Sequence, residues 1–206
     1  ADTAIAPRGK TTVVDVLAND EATNPFPGNP LTVVGIRGID GASLPAGVNI
    51  TPSADLSTLT AVVTKEAPAQ DINVQYQVAD ATRDPDRLVW GNARLQIQDA
   101  PDPVTGTRVT AFGDQTVTIA WSPGSFNNSP ITGYEVTATR TDSGSVFSVT
   151  PCAVTNGCLI GTPGNGPSNA LKISVVAINS IGPSEPAAIS SAVWSDVLPA
   201  APGGVR

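Results

Sequence analysis

The sequence predicts an all-β chain, built as two tandem antiparallel β-sandwiches. Three observations carry this. Gly and Pro number 19 each, a punctuation that suits short strands joined by many turns. Runs rich in Val, Thr and Ile alternate with a period of two, and no stretch sustains a helical period. The length, 206 residues, is long for one sandwich and comfortable for two of about 100 residues each.

The elements follow in order. Thr11-Thr12-Val13-Val14-Asp15-Val16-Leu17 reads as a strand and runs into the polar turn Ala18-Asn19-Asp20-Glu21. Asn24 to Pro30 is loop by its Pro and Gly content, and Leu31 to Ile36 is the next strand. Val48-Asn49-Ile50-Thr51 and Leu59-Thr60-Ala61-Val62-Val63 flank the turn Pro52-Ser53-Ala54-Asp55 and read as a hairpin. Ile72 to Val78 alternates strictly, with its apolar face on the even numbers. Asp80 to Arg87 is a charged loop, and Arg94 to Gln98 closes the first module at residue 99. Asp99-Ala100-Pro101-Asp102-Pro103 reads as a stiff linker. In the second module, 100–197, Gln115 to Trp121 places Val117, Ile119 and Trp121 on one face. Ile131 to Ala138 and Leu171 to Asn179 are further strands. Residues 198–206 echo the Ala-Pro start of the second module and read as linker or the start of a further one, so the parent protein is expected to continue as an array.

Composition excludes several functions. Eleven Lys and Arg stand against 18 Asp and Glu, a net charge of −7, which disfavours nucleic acid and anionic membranes. There is no apolar run long enough to span a bilayer, no signal peptide and no lipidation motif, so the chain reads as an excised piece. Histidine is absent, which removes the commonest general base and metal ligand. The two cysteines, Cys152 and Cys158, cannot build a thiolate zinc site without His. A disulfide closing a small loop is the better reading, two buried free thiols the alternative. A disulfide implies a location outside the cytoplasm.

Two resemblances stand on these motifs. Val13 to Asp20 spells VVDVLAND, Leu31 to Ile36 spells LTVVGI, and Val74 to Asp80 spells VQYQVAD. This series resembles bacterial Ig-like repeats of the cadherin-like superfamily and covers residues 1–99. In the second half, VTIAW at Val117 to Trp121, ITGYEV at Ile131 to Val136, and the run Val175-Val176-Ala177-Ile178-Asn179-Ser180-Ile181-Gly182-Pro183-Ser184 are similar to fibronectin type III domains. That resemblance implies Trp121 as the core Trp of strand B and Tyr134 on strand C. It departs at Leu171, where the family carries a Tyr whose hydroxyl forms a corner bond. The adjacent disulfide is expected to compensate in part for that lost bond.

Candidate sites are few. Cadherin-like modules bind calcium through clustered carboxylates, which marks Asp15, Asp20, Glu21, Asp80 and Asp84. Solvated turn carboxylates are the competing account, and no metal or other cofactor is assigned. Trp90 is expected to be exposed and to anchor a ligand or pack at a module junction. The loop Ser122 to Pro130 is long and polar and carries Phe126, Asn127 and Asn128, the marks of a recognition loop on a sandwich scaffold. No recognisable catalytic pattern occurs. The expected function is therefore a non-catalytic adhesion or recognition module of an extracellular or bacterial cell-surface protein, monomeric, binding a protein partner through its loops or the elbow between modules. Host extracellular proteins such as a cytokine or a matrix protein are among the candidate partners. The alternative is a structural spacer in a surface protein or secreted polysaccharide hydrolase.

Overall fold

The computed structural model describes residues 2–197, which form strands joined by turns and four short 3-10 turns. The expected linker or further module at 198–206 lies outside the described residues. The chain divides into two compact units, Ala1–Asp99 and Ala100–Arg206. Each unit buries its own apolar cluster.

Among its described residues unit 1 contains seven strands: Asp2–Pro7 (β1), Thr11–Val14 (β2), Thr32–Gly38 (β3), Val48–Pro52 (β4), Leu59–Val63 (β5), Asp71–Ala79 (β6) and Val89–Gln98 (β7). One sheet has the order β1-β7-β6-β3 and the other β2-β5-β4. Alternation drives the packing. Ile72, Val74, Tyr76 and Val78 of β6 point into the core, as their even numbering predicts, and meet Leu59, Ala61 and Val63 of β5. Leu95 and Ile97 of β7 complete the layer. Two features differ from expectation. A further strand, β1, precedes the first one read from sequence, and it pairs parallel to β7 rather than antiparallel, Asp2 facing Ala93 and Pro7 facing Gln98. The strand expected over Thr11 to Leu17 leaves the ladder after Val14, although Val16 and Leu17 remain buried.

The β4–β5 hairpin closes on Asp55. Its carboxylate accepts from the hydroxyls of Ser53 (2.6 Å) and Ser57 (2.8 Å) and from the Ser57 amide (3.2 Å). The Ser53 bond leads in holding the Asp55 carboxyl down at about 2, against an ordinary 3.8. A depressed carboxylate contributes stability that is complete above its unfolded value and is lost as pH falls through its folded one. The turn is therefore expected to loosen between pH 3.8 and about 2. An NMR titration of the Asp55 carboxyl checks this: the midpoint should lie near the lower value, and Ser53→Ala should raise it.

Unit 2 contains Thr105–Gly113 (β8), Thr116–Ser122 (β9), Gly133–Arg140 (β10), Val146–Cys152 (β11), Gly157–Gly161 (β12), Leu171–Ile178 (β13) and Ala187–Ala188 (β14). The sheets run β12-β9-β8 and β11-β10-β13-β14. Val117, Ile119 and Trp121 of β9 face Tyr134, Val136 and Ala138 of β10 across the core. The Trp121 and Tyr134 rings lie 5.0 Å apart, tilted. Cys152 and Cys158 form a disulfide, tying β11 to β12, the edge strands of opposite sheets. Such a bond is typical of extracellular proteins. Leu171 opens β13 fully buried, so an apolar contact fills the corner position. The expected linker is shorter than read. Pro101 is buried, and the Asp102 amide donates to the Ser125 carbonyl (2.9 Å), so these residues belong to unit 2.

Among the described residues, no helix is long and apolar enough to cross a membrane.

Candidate recognition surfaces

In unit 2 the β9–β10 loop is built as a rigid presentation. Gly124 lets the chain pass against residues 102–103: a Cβ there would sit 2.5 Å from the Asp102 carbonyl oxygen. Asn127 takes a left-handed backbone (φ 48°), and its amide donates to the Ala100 carbonyl (2.8 Å) and the Asp102 carboxylate (3.0 Å). Asn128 is also left-handed (φ 61°). Ser129 is buried, with its hydroxyl 2.8 Å from that of Ser180. Asn179, the Asn of the Ala-x-Asn-x-x-Gly run, holds the loop from the other side. Its amide nitrogen donates to the carbonyls of Phe126 (3.3 Å) and Ser129 (3.2 Å), while its oxygen accepts from the Ile181 and Gly182 amides. The result is an exposed Phe126 (56 %) on a fixed loop. Of the three residues marked in this loop, Phe126 is presented outward and Asn127 holds the loop in place.

In unit 1 the marked residues meet differently. Trp90, on β7, is 38 % exposed, but the Arg37 guanidinium lies 3.8 Å from its ring centroid and covers it. Arg37 in turn donates to Gln75 (2.9 Å). Asp20 accepts from the Tyr76 hydroxyl (3.1 Å), as do Asp2 (2.8 Å) and the Val16 carbonyl (3.0 Å). Burial, then the Asp2 hydrogen bond, pushes the Tyr76 phenol well above its ordinary range. Glu21 fastens its loop, accepting from the Leu31 amide and the Asn24 side chain, both at 2.8 Å, and the Asn24 bond leads in lowering its pKa. Asp80 accepts from the Thr82 hydroxyl (2.5 Å) and pairs with Arg87 (2.6 Å), and the Thr82 bond leads in lowering its pKa. Asp84 caps the 3-10 turn Pro85–Arg87 through the Asp86 amide (3.0 Å), and Asp15 is exposed. Asp20 and Asp80 therefore reach one cleft, joined there by Asp2, while Asp15 and Asp84 do not. Among the described residues, no three His, Cys, Asp or Glu side chains are grouped to hold a metal.

Sequence reasoning missed Asp2 and Asp20 as partners of Tyr76, which lie 74 and 56 residues from it. It also missed Phe112, 61 % exposed, which lines an open groove with Trp194.

Comparisons with known proteins agree with this architecture. No curated protein matches the chain. A solved fragment of titin, domains A168-A170, is similar at 17 % identity with a TM-score of 0.61. The match covers 94 % of this chain and 61 % of the titin fragment, so the chain spans about three fifths of that relative's length. The C. elegans twitchin kinase region is 21 % identical with a TM-score of 0.40, over 47 % of this chain and 17 % of that one. Titin kinase with its flanking domains is 26 % identical with a TM-score of 0.38, over 43 % and 16 %. At the first of these identities the likeness establishes the fold, tandem β-sandwiches. The family model for the fibronectin type III domain matches residues 102–192. Strand order, motif run and family match thus converge on one span of this chain, residues 102–192, which matches the fibronectin type III domain.

Proposed function

We propose that the chain is a non-catalytic, extracellular recognition segment of a modular surface protein, and that it binds a protein partner through the β9–β10 loop. The observation that carries this is the fixed loop around Phe126. Two Asn side chains anchor its backbone, yet its one aromatic ring is left 56 % exposed. An aromatic on a pre-ordered loop loses little entropy on binding, which is how a small surface gains affinity. The VLAND-type resemblance of residues 1–99 supports a bacterial cell surface as the location, with a host extracellular protein as one candidate partner. A structural spacer is the competing role.

A screen of the fragment against arrayed extracellular proteins and glycans tests the reading. A protein hit that Phe126→Ala weakens by at least about tenfold supports it. Because Phe126 is exposed, the same variant should keep the parent melting temperature within about 1 °C. Clean negatives across both arrays would move the assignment to a spacer.

A further inference from the structure

Asn-Gly occurs twice in the chain, as Asn156-Gly157 and Asn165-Gly166. Glycine has no Cβ to shield its backbone nitrogen, so that nitrogen can approach the side-chain carbonyl carbon of the residue before it. Two restraints oppose the approach: the hydrogen bonds of the Asn side chain and those of the Gly N–H. The two pairs differ in both.

Asn165 is fastened at both polar ends of its side chain. Its oxygen accepts from the Gln115 amide (2.9 Å) and the Ser195 hydroxyl (2.7 Å), and its nitrogen donates to Asp114 (2.8 Å). The Gly166 N–H donates to the Ser195 carbonyl (2.9 Å). Asn156 is exposed, and its side chain has no hydrogen-bond partner among the described residues. Its backbone carbonyl accepts from the Trp121 amide (3.1 Å), which makes Asn156 and Trp121 a hydrogen-bonded pair. Bonded and non-bonded pairs alternate in an antiparallel ladder, so the next pair, Gly157 with Ala120, is non-bonded and the Gly157 N–H turns away from β9. β12 is the outer strand of its sheet, so no neighbouring strand receives that N–H among the described residues. Packing gives the glycine its own reason to be there: a Cβ would lie 3.1 Å from the Ile119 carbonyl oxygen.

We infer that Asn156 is a site of self-modification, at which the folded chain converts its own Asn to isoaspartate and Asp. The Gly157 nitrogen gives up its proton to solvent hydroxide and attacks the Asn156 side-chain carbonyl carbon. The new C–N bond closes a succinimide ring, the old C–N bond breaks, and the amide nitrogen leaves as ammonia after taking a proton from water. Water then opens the ring at either carbonyl. One opening gives Asp; the other gives isoaspartate, in which the chain runs through Cβ and the former backbone carbonyl becomes a free carboxylate. Both add one negative charge. Isoaspartate also adds one atom to the backbone between Cys152 and Cys158, inside a loop whose ends the disulfide fixes. It removes from the chain the carbonyl that the Trp121 amide uses. The modification therefore loosens the junction of β12 with β9. It involves neither the Phe126 loop nor a partner.

The test is to age the intact chain in mildly alkaline buffer at physiological temperature and map the products by peptide mass spectrometry. Isoaspartate is counted by an isoaspartyl methyltransferase with S-adenosylmethionine. Conversion at Asn156 is expected to run at least about tenfold faster than at Asn165, because Asn165 must first break its hydrogen bonds. Asn156→Gln, which would need a larger ring, should abolish the signal at an unchanged melting temperature. The isoaspartyl fraction should melt below fresh protein, whereas freshly made Asn156→Asp, with the same charge and no added atom, should not. Four outcomes overturn the inference: no conversion at Asn156 while a blocked peptide of residues 154–157 converts, equal rates at Asn156 and Asn165, a methylation signal that survives Asn156→Gln, or an isoaspartyl fraction that melts with fresh protein.

Discussion

Gly91→Ala is expected to destabilise unit 1 by about 3 kcal/mol, lowering its melting temperature by more than about 10 °C. A Cβ at position 91 would sit 2.3 Å from the Tyr76 ring and 2.6 Å from its hydroxyl oxygen. The neighbour is a ring 2 % exposed and held by three acceptors, so it has no room to yield. Moving it would cost packing and leave a buried phenol unsatisfied, each worth about 1–3 kcal/mol. Thermal unfolding by circular dichroism measures the loss. A double-mutant cycle with Tyr76→Leu separates the cause. If the collision is responsible, Gly91→Ala should cost much less once the ring is gone; an equal cost in both backgrounds would point to the strand backbone instead.

Reducing the Cys152–Cys158 bond is expected to cost unit 2 about 2 kcal/mol and about 10 °C of melting temperature. The closed loop is short, a sequence separation of 6, so the chain-entropy contribution is modest. Its placement matters more. It joins the edge strands β11 and β12, which belong to opposite sheets and share no ladder. The corner hydroxyl that members of this family place at the start of β13 is absent, because Leu171 fills that position as a fully buried apolar residue. Melting curves with and without reductant decide whether the disulfide compensates; coincident curves would remove that role.

The strands legible in the sequence are those buried on one face. β6 and β9 alternate because every second residue enters the core, and the even-numbered face of β6 was readable down to Tyr76. The unread strands, β1, β8, β11, β12 and β14, are all at sheet edges. Edges keep much of both faces in water, so selection on their pattern is weak: Val146, Val149 and Leu159 are apolar yet at least 50 % exposed. β8 also carries two register irregularities, which erase its period. The Phe126 loop was legible because Pro, Gly and Asn mark it locally. The cleft was not, because it is made by residues as far apart as Asp2 and Asn92. Asp2 has no local signature, and Asp20 closes a visible motif that gives no sign of its bond to Tyr76, while Glu21, Asp80 and Asp84 of the marked set serve as loop fasteners.

The parallel pairing of β1 with β7 sets how unit 1 bears tension. β1 enters the unit near its first residue and β7 leaves it at the last, and the two run in the same direction with six residue pairs in register. A pull along the chain therefore drags the start of one strand away from the end of the other. The hydrogen bonds between them are loaded together, in shear, instead of being peeled one at a time. In unit 2 no ladder of this length joins the first strand to the last among the described residues: β14 has two residues and pairs antiparallel to β13. Unit 1 is thus expected to resist tension through that one shear-loaded ladder.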